Sequence, residues 1–333
     1  MRAMVVERQA PVGESPLVPR DVAVPEPGPG QVRIRVSVCG VCHTDLHVVE
    51  GDLPLHGRPV IPGHQVIGGV DAAGPGATAF RPGDRVGVPW LHRTCGRCRF
   101  CRNGRENLCP DARFTGYHEP GGFAEFMLAD EAFAYPIPPG FPDREAAPLL
   151  CAGIIGYRSL RLSGIQPGEA LGLYGFGASA HIALQIARHW GCAVHVFTRS
   201  EEHRALARRL GAAWAGGAEE DPGRPLQAGV IFAPAGGLVP RALERLDRGG
   251  TVALAGIWMS EVSPLDYDRH LYQEKVLRSV TASTRQDARE LLELAAAIQI
   301  RTDVQEFPLE EANEALRRLK HSRLERGAAV LRV

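Results

Sequence analysis

Apolar and polar positions follow two different patterns along the chain, and the pattern changes near residue 150. Before about residue 135, short β-branched runs such as QVRIRVSV and GDRVGVPW are bounded by turn sequences such as PGPG and PGD. Such runs predict an antiparallel, barrel-like β domain. From about residue 150, apolar strands such as AVHVFTRS alternate with amphipathic helices such as EEHRALARRLGA. This alternation predicts βαβ units on a parallel sheet.

The division into domains follows from this change of pattern and from size. With 333 residues, of which 44% are apolar, the chain exceeds what one hydrophobic core usually organises and can fill two. We predict a β domain over residues 1–148, an α/β domain over 149–285, and a final segment over 286–333. The final segment is predicted to contain two helices and one short strand.

The amino-acid composition argues against some classes of binding partner. The formal net charge is zero, so the chain as a whole has no electrostatic attraction to nucleic acid or to an anionic membrane. No run reaches the roughly 18 to 20 apolar residues of a membrane span, and the start of the sequence lacks the apolar core of a signal peptide. We therefore expect a soluble, cytoplasmic protein with no nucleic-acid or membrane partner. In such a chain, eight cysteines favour metal binding or catalysis over a disulfide framework.

A glycine-rich turn marks a nucleotide site in the α/β domain. LGLYGFGASAHIALQIAR follows a predicted strand and opens a predicted helix, which is the context of a dinucleotide-binding turn. Gly175 would make the tight turn, Gly177 would let the backbone approach the pyrophosphate, and Ala180 stands at the third glycine position. The residues predicted to contact the cofactor are Gly175, Phe176, Gly177, Ala178 and Ser179, with Ala233, Gly256 and Ile257 from later loops.

The next predicted strand indicates which dinucleotide binds. It ends about 20 residues after the glycines, where an NAD site usually offers a carboxylate to the ribose hydroxyls. This chain offers Thr198, Arg199 and Ser200 instead. A guanidinium and hydroxyls would bind a 2′-phosphate that a carboxylate would repel. We therefore expect NADP(H) rather than NAD(H); the alternative is that Arg199 is a solvated surface residue and that NAD serves.

Four cysteines lie close together in a lobe of about residues 92–112. Cys95, Cys98, Cys101 and Cys109 have the spacing C-x2-C-x2-C-x7-C, which can wrap four thiolates around one structural zinc ion. The ferredoxin spacings of an iron–sulfur cluster differ from this one, and disulfides would need an oxidising compartment. The lobe also contains four arginines that would offset the negative charge of the site: Arg97, Arg99, Arg102 and Arg105.

A second candidate set of zinc ligands has three members, one fewer than a tetrahedral ion can bind. Cys42 in GVCHTDLH, His64 in PGHQ and Cys151 in LLCAGIIGY are far apart in sequence. Two thiolates and one imidazole leave the fourth position of a tetrahedral zinc open, as in the catalytic site of an alcohol dehydrogenase.

At these motifs the chain resembles the zinc-dependent medium-chain alcohol dehydrogenases, and the resemblance covers essentially its whole length. It includes GVCHTDLH, PGH, the four-cysteine lobe, LLCAG, GFGASA and the order of the domains. The resemblance implies a GroES-like antiparallel β-barrel catalytic domain, an α/β Rossmann domain, and a C-terminal segment that returns to the first domain. It also implies a homodimer or homotetramer that forms through edge strands of the Rossmann sheet.

The implied reaction is reversible hydride transfer between a primary alcohol, aliphatic or aromatic, and NAD(P), with two zinc ions per chain. By resemblance, Cys42, His64 and Cys151 bind the catalytic zinc, and Asp45 orients His64. Oxidation of an alcohol needs the removal of a proton from oxygen, and zinc lowers the pKa of a bound hydroxyl.

Further roles come from the same resemblance. Thr44 matches the hydroxyl that takes the substrate proton, His47 matches the histidine that passes it towards solvent, and His43 matches a contact of the cofactor pyrophosphate. Gln65 stands where the family usually has glutamate, which removes a negative charge beside the metal. The apolar lining of the substrate pocket is assigned to Leu53, Trp90, Leu91 and Ile155, with Ile257.

Two competing functions are weighed against this one. The first is a zinc-independent quinone or alkene reductase of the same fold, which the complete ligand sets oppose. The second is a non-catalytic zinc-binding module, which the balanced charge and the α/β half oppose. The remaining cysteines and several histidines are read as structural: Cys39 and Cys192 as buried core, His181 as part of the cofactor helix, and His56, His92 and His118 without a role.

Overall fold

The computed structural model describes residues 1–57, 59–324 and 327–333. These residues form two compact units. The first unit comprises Met1–Cys151, Ser283–Ala297 and Arg301–Val333, and the second comprises Ala152–Ala282 and Ile298–Ile300.

The strands of the described residues are, in chain order, β1 Arg2–Val6, β2 Leu17–Asp21, β3 Gln31–Val41, β4 Val66–Ala73, β5 Arg85–Val88, β6 Leu91–Arg93, β7 Arg113–Phe114, β8 Phe126–Asp130, β9 Tyr135–Pro136, β10 Ala170–Tyr174, β11 Ala193–Phe197, β12 Trp214–Gly216, β13 Leu226–Ile231, β14 Leu246–Leu254, β15 Val276–Ser279, β16 Val304–Pro308 and β17 Ala328–Arg332.

The helices are α1 His43–Glu50, α2 Arg99–Arg102, α3 Asp143–Ala146, α4 Ala152–Ser163, α5 Ala178–His189, α6 Glu201–Arg209, α7 Leu238–Glu244, α8 Tyr267–His270, α9 Arg285–Ile298 and α10 Ala312–Lys320. None of the helices in the described ranges is long and apolar enough to span a bilayer.

The first unit is built around a seven-stranded sheet in which β3 is the central strand. Its alternate residues Val32, Ile34, Val36 and Val38 are at most 5% exposed, as the alternation in QVRIRVSV predicts for a strand with one buried face. β3 pairs antiparallel with β4, β8 and β17, so the predicted antiparallel β architecture is confirmed. Because β3 ends at Val41, the sheet holds the start of the next segment, which begins with Cys42.

The final segment contains one strand more than the sequence pattern predicted. Besides two helices and β17, residues Val304–Pro308 form β16, which pairs parallel to β17. The sequence of β16 is VQEFP. Its buried apolar side chains are Val304 and Phe307, which are three positions apart. They therefore lack the period of two that identifies a strand from sequence.

The second unit contains a six-stranded, all-parallel sheet in the order β12-β11-β10-β13-β14-β15, which confirms the predicted βαβ alternation. After β10 the chain continues to β11 and β12 on one side, and it then returns to β13 on the other side. The direction of strand order therefore reverses at β10. In parallel sheets of this kind, ligands bind beyond the carboxyl ends of the strands at such a reversal.

Candidate metal and cofactor sites

The first metal-site candidate begins at the junction between β3 and α1. Cys42 is the N-cap of α1, and its Sγ accepts the backbone N–H of Thr44 at 3.3 Å. Asp45 completes a capping box, because its Oδ2 accepts the backbone N–H of Cys42 at 2.9 Å. The thiol of Cys42 therefore lies at the positive end of a helix, where a thiolate is stabilised.

Three side chains from distant parts of the first unit meet at this point. The Sγ of Cys42 lies 3.3 Å from the Nε2 of His64, and the ligand atoms of these residues and of Cys151 all lie within 4.8 Å of one another. Sulfur and nitrogen ligands of one tetrahedral zinc lie about 3.6 Å apart, given metal bonds of about 2.3 and 2.0 Å. The donor set and its spacing therefore fit a Cys2His zinc ion with one position left for another ligand.

A buried carboxylate fixes the orientation of the imidazole. Asp45 is 2% exposed and His64 is 1% exposed. The Oδ1 of Asp45 accepts a hydrogen bond from the Nδ1 of His64 at 3.0 Å and from the backbone N–H of Gly63 at 3.1 Å. When the ring is neutral and its proton is on Nδ1, the lone pair of Nε2 is directed towards Cys42, as metal binding requires. This arrangement is the one by which proteins orient a metal-binding histidine.

Without a metal ion, the charges around this cluster favour a thiolate at Cys42 and a protonated imidazole at His64. A hydrogen bond from Cys151, together with the charge on His64 and against the effect of burial, holds the pKa of Cys42 well below its usual value. Burial lowers the pKa of His64, but Asp45 and Cys42 outweigh it and raise that pKa to about 10. A proton at Nε2 would occupy the lone pair that zinc uses, so metal binding would release it.

Two further polar residues of α1 point to proton transfer. Thr44 and His47 stand three residues apart, which puts them on one face of the helix. The Nδ1 of His47 lies 2.7 Å from the Oδ2 of Asp52, a residue in the turn after the helix. Sequence reasoning missed Asp52, although a carboxylate five residues after a relay histidine was a visible signal.

The predicted pocket residues lie in both units. In the first unit, the indole of Trp90 packs edge-on against the imidazole of His64, with ring centroids 4.9 Å apart. Leu53 is half-buried in the turn after α1, and Leu91 is buried in β6. In the second unit, Ile155 is half-buried in α4. A contact of these four residues with substrate stays a prediction.

Gln65 directly follows the metal-site histidine in the sequence. It is 3% exposed, and its backbone carbonyl accepts the N–H of Gly40 in β3 at 2.9 Å. A Cβ on Gly40 would lie only 2.8 Å from the Gln65 side chain, so a glycine is needed for this close packing. The neutral amide of Gln65 adds no charge beside the Cys2His cluster, in which two thiolates would neutralise a bound zinc ion.

The second metal-site candidate is the four-cysteine lobe. The Sγ atoms of Cys95 and Cys101 are 4.0 Å apart, those of Cys98 and Cys101 are 3.5 Å apart, and those of Cys95 and Cys109 are 3.5 Å apart. Four sulfurs around one zinc lie about 3.8 Å apart. The lobe therefore fits a tetrahedral ion that has no open position.

The surroundings of the lobe suit a doubly negative metal centre. Hydrogen bonds from the backbone N–H groups of Arg97 and Cys98 lower the pKa of Cys95 to about 7. The four arginines named above are all exposed. Glu106, which is buried, accepts the backbone N–H of Arg285 at 3.0 Å and ties the lobe to the start of α9.

The glycine turn of the second unit has the geometry that a dinucleotide needs. Gly175 follows β10 with φ +87°, and a Cβ there would lie 2.9 Å from Ala233, so this position requires glycine. A Cβ on Gly177 would meet no atom within 4 Å and would project into open space at the N-terminus of α5. That free approach to backbone N–H groups fits a pyrophosphate.

Other predicted cofactor residues lie in the turn itself, at the start of α5 and after β14. Phe176 is buried against the ring of His181, with centroids 4.4 Å apart, while Ala178 and Ser179 are half-buried in the first turn of α5. Burial, supported by the nearby His203, lowers the pKa of His181 to about 4, so this ring is neutral at physiological pH. Gly256 is half-buried and Ile257 is exposed after β14.

The end of β11 offers a cation and no carboxylate. Arg199 is exposed, and it forms no hydrogen bond or ion pair with the residues that the structure describes. The Oγ of Ser200 caps α6 by accepting the N–H of His203 at 3.3 Å. Glu201, which follows, is paired with Arg204 and Arg208. The guanidinium of Arg199 is therefore available to a ligand.

Two family models match parts of this chain, and curated relatives match its whole length. The family model "Alcohol dehydrogenase GroES-like domain" matches residues 28–139, and the model "Zinc-binding dehydrogenase" matches residues 180–297. The chain is 51% identical over 99% of its length to "Probable alcohol dehydrogenase AdhA" of Mycobacterium tuberculosis, of which it covers 97%. It is 35% identical to an "Alcohol dehydrogenase" of Geobacillus stearothermophilus, with full coverage of both chains.

This chain belongs to the zinc-dependent medium-chain alcohol dehydrogenases. Among solved structures, it resembles the cobalt- and zinc-bound thermostable alcohol dehydrogenase of Pyrobaculum aerophilum, with a TM-score of 0.91 and 26% identity over 100% of this chain and 99% of that one.

Membership of the alcohol dehydrogenase family confirms three predictions made from the sequence. The fold is a GroES-like domain with a Rossmann-like parallel sheet, the protein is a zinc-dependent alcohol dehydrogenase, and its cofactor is NAD(P). The competing predictions of a zinc-free reductase and of a non-catalytic zinc module are set aside. Both predicted ligand sets are present as zinc-site candidates.

Proposed function

We propose that this alcohol dehydrogenase interconverts primary alcohols, aliphatic or aromatic, and their aldehydes at Cys42, His64 and Cys151. The observation that carries the proposal is the buried Cys2His cluster, which leaves one position of a tetrahedral zinc for a substrate oxygen. When bound there, zinc supplies Lewis acidity that lowers the pKa of the alcohol hydroxyl and polarises the aldehyde carbonyl.

The residues of α1 would handle the proton of the alcohol. Thr44 is two residues after Cys42, and its hydroxyl would take the proton at Oγ1. His47 would pass it on, and Asp52, at 2.7 Å from the Nδ1 of His47, would stabilise the imidazolium that forms. In the reverse direction the same groups would return the proton to the oxygen. His43, exposed at the start of α1, would contact the pyrophosphate of the cofactor.

Within the NAD(P) class, we infer that NADP(H) is preferred. Arg199 supports this inference, because a guanidinium without an internal partner can bind a 2′-phosphate bidentately. Thr198 and Ser200 would add hydroxyl donors. The neighbouring carboxylate of Glu201 opposes the inference only weakly, because Arg204 and Arg208 already pair with it.

Replacing Arg199 by glutamine tests the cofactor inference. We expect the KM for NADPH to rise about 10- to 100-fold, since a hydrogen bond between charged groups contributes about 1.5 to 3 kcal/mol. The KM for NADH should change less than about twofold. Steady-state rates at 340 nm with an aldehyde would measure both constants, and Arg209→Gln, at the end of α6, is the matched control. A wild-type preference for NADH would contradict the inference and leave the dehydrogenase assignment intact.

We also infer a homodimer or homotetramer that assembles through β15, an edge strand of the parallel sheet. Its Val276 is 45% exposed, and large apolar side chains in the segment that precedes β15 are also exposed: Trp258, Val262, Tyr267 and Tyr272. Such a patch beside an edge strand is typical of an interface. A second copy of the chain fits it, because the same edge strand on each copy can pair about a twofold axis.

Substituting Val276 by lysine tests the interface. A charge buried in each copy of a twofold contact should shift the assembly towards monomer, and sedimentation velocity at micromolar concentration would show it. Val24→Lys is the matched control, because Val24 is a 40% exposed valine of the first unit. Equal masses for both variants and the wild type would rule out β15 as the contact.

A cytoplasmic location is the remaining inference. Six cysteines of the two candidate sites must stay reduced to bind zinc. The reducing cytoplasm keeps such thiols free of disulfides.

A further inference from the structure

A buried carboxylate joins the four-cysteine lobe to the helix that follows the main stretch of the second unit. Glu106, in the lobe, is 4% exposed, and Arg285 is the first residue of α9. We propose that Glu106 transmits the order of the lobe to α9, so that a zinc ion bound by the four cysteines also fixes the place where the chain returns to the first unit. The lobe is then an anchor for the C-terminal segment as well as a local metal site.

The backbone of Glu106 connects this residue to the candidate zinc ligands. Glu106 begins the short turn Glu106–Leu108, and its backbone carbonyl accepts the N–H of Cys109 at 3.0 Å. Cys109 is buried, and its Sγ accepts the backbone N–H of Cys95 at 3.5 Å. Four thiolates on one ion hold such a loop in a single arrangement. A metal ion in the lobe therefore fixes the position of Glu106 as well.

The side chain of Glu106 holds the first residue of α9. Its Oε1 accepts the backbone N–H of Arg285 at 3.0 Å and the Nε–H of the same residue at 3.3 Å. The guanidinium of Arg285 also lies over the ring of Phe133, 5.0 Å from the centroid. Because a buried charge is stable only when it is paired and hydrogen-bonded, Glu106 and Arg285 keep their positions together.

The other N–H groups at the start of α9 find partners within the helix itself. Thr284 and Asp287 are 5% and 1% exposed. The Oδ2 of Asp287 accepts the backbone N–H of Thr284 at 2.8 Å and its hydroxyl at 2.7 Å, and the same hydroxyl oxygen accepts the N–H of Asp287 at 3.2 Å. This closed pair leaves the N–H of Arg285 to a partner from outside the helix, and the lobe supplies that partner.

The backbone just before this turn is strained. Ala282 ends the stretch Ala152–Ala282 of the second unit, and Ser283 is the first residue of the part that returns to the first unit. The φ angle of Ala282 is +48°, in the left-handed region that residues other than glycine adopt at a cost. Such a conformation persists only where the surrounding structure holds it. The buried turn that begins at Ser283 and is bonded to Glu106 supplies that hold.

Hydrogen exchange at the start of α9 tests the proposal, by mass spectrometry of the peptide that contains residues 284–287. In Glu106→Ala we expect the Arg285 amide to exchange about 10- to 100-fold faster, as the loss of a hydrogen bond to a charged group predicts. Glu106→Gln keeps an acceptor and should recover part of the protection. Both variants should keep the zinc content of the wild type. Asp111→Asn, which changes an exposed carboxylate of the lobe, is the control and should exchange like the wild type.

The link to the metal ion needs a variant of a lobe ligand. In Cys98→Ser the zinc content should fall by about one ion per chain, and the Arg285 amide should exchange faster, as it does in Glu106→Ala. Loss of that zinc ion with unchanged exchange at Arg285 would overturn the proposal, because the lobe and the helix would then be independent.

A second comparison uses the strained residue and does not depend on a ligand variant that folds. Ala282→Gly removes the cost of the positive φ angle, so Glu106→Ala should accelerate exchange less in that background than in the wild type. Unchanged exchange at Arg285 in Glu106→Ala would overturn the proposal. Equal acceleration at Arg285 and throughout β3 would also overturn it, because such a result would indicate a general loss of stability and not a local anchor.

Discussion

Replacing Cys42 by serine is expected to remove one of the two zinc ions and to lower turnover by about 1,000-fold or more. A hydroxyl is a much poorer zinc ligand than a thiolate, and the remaining Cys151 and His64 cannot hold the ion in the same geometry. The loss corresponds to the several kcal/mol of charge stabilisation that a Lewis-acidic metal contributes. The zinc content measured by metal analysis should fall from about two ions per chain to about one.

Cys39→Ala is the matched control for this experiment. Cys39 is a buried thiol of β3, three residues before Cys42, and it belongs to neither cluster of metal ligands in the described residues. Its removal should cost some stability but should leave both zinc ions and the turnover rate close to wild type. Full zinc content in the Cys42 variant would contradict the assignment of Cys42 as a ligand.

The second large effect is expected from replacing Asp45 by asparagine, although Asp45 itself would not bind the metal ion. Its two oxygens accept three hydrogen bonds, from the Cys42 backbone, the Gly63 backbone and the His64 ring. In Asp45→Asn the amide NH2 would face one of these donors. We expect zinc affinity to fall about 10- to 100-fold and the free energy of unfolding to fall by about 1 to 3 kcal/mol.

Competition with a chromogenic chelator would measure zinc affinity, and thermal unfolding would measure stability. Asp52→Asn is the control, because Asp52 is a half-exposed carboxylate that contacts His47 and not His64. Zinc affinity in that variant should stay at the wild-type value. If both variants lost zinc equally, the effect would come from charge near α1 and not from orientation of the imidazole.

The sequence predicted the parts of the site that depend on distinctive residues. Thiolates and imidazole are the ligands that zinc prefers, so Cys42, His64, Cys151 and the four cysteines of the lobe could be recognised without coordinates. The tight turn at Gly175 was equally recognisable, because a positive φ between a strand and a helix favours glycine.

Contacts between residues far apart in sequence could not be predicted in the same way. His56 and His118 were assigned no role, yet their rings stack on each other although 62 positions separate them. A lone histidine or aromatic residue has no spacing rule, because its neighbours are set by how β6, β7 and the turn after α1 come together. For the same reason, the packing of Trp90 on Phe114 and Tyr117 could only be seen in the folded structure.

The pairing of β3 with β17 has a consequence for how the protein is made. Val41, the residue before Cys42, pairs with Ala329, which is synthesised about 290 residues later. At about 5 to 20 residues per second, a ribosome needs about 15 to 60 s to cover that distance. The sheet next to Cys42 therefore lacks β17 for that time. Nearly all of the second unit, in contrast, is one continuous stretch, Ala152–Ala282, so it can fold sooner. We therefore expect the nascent first half, in which β3 still lacks its partner β17, to be more sensitive to oxidation and aggregation than the complete enzyme.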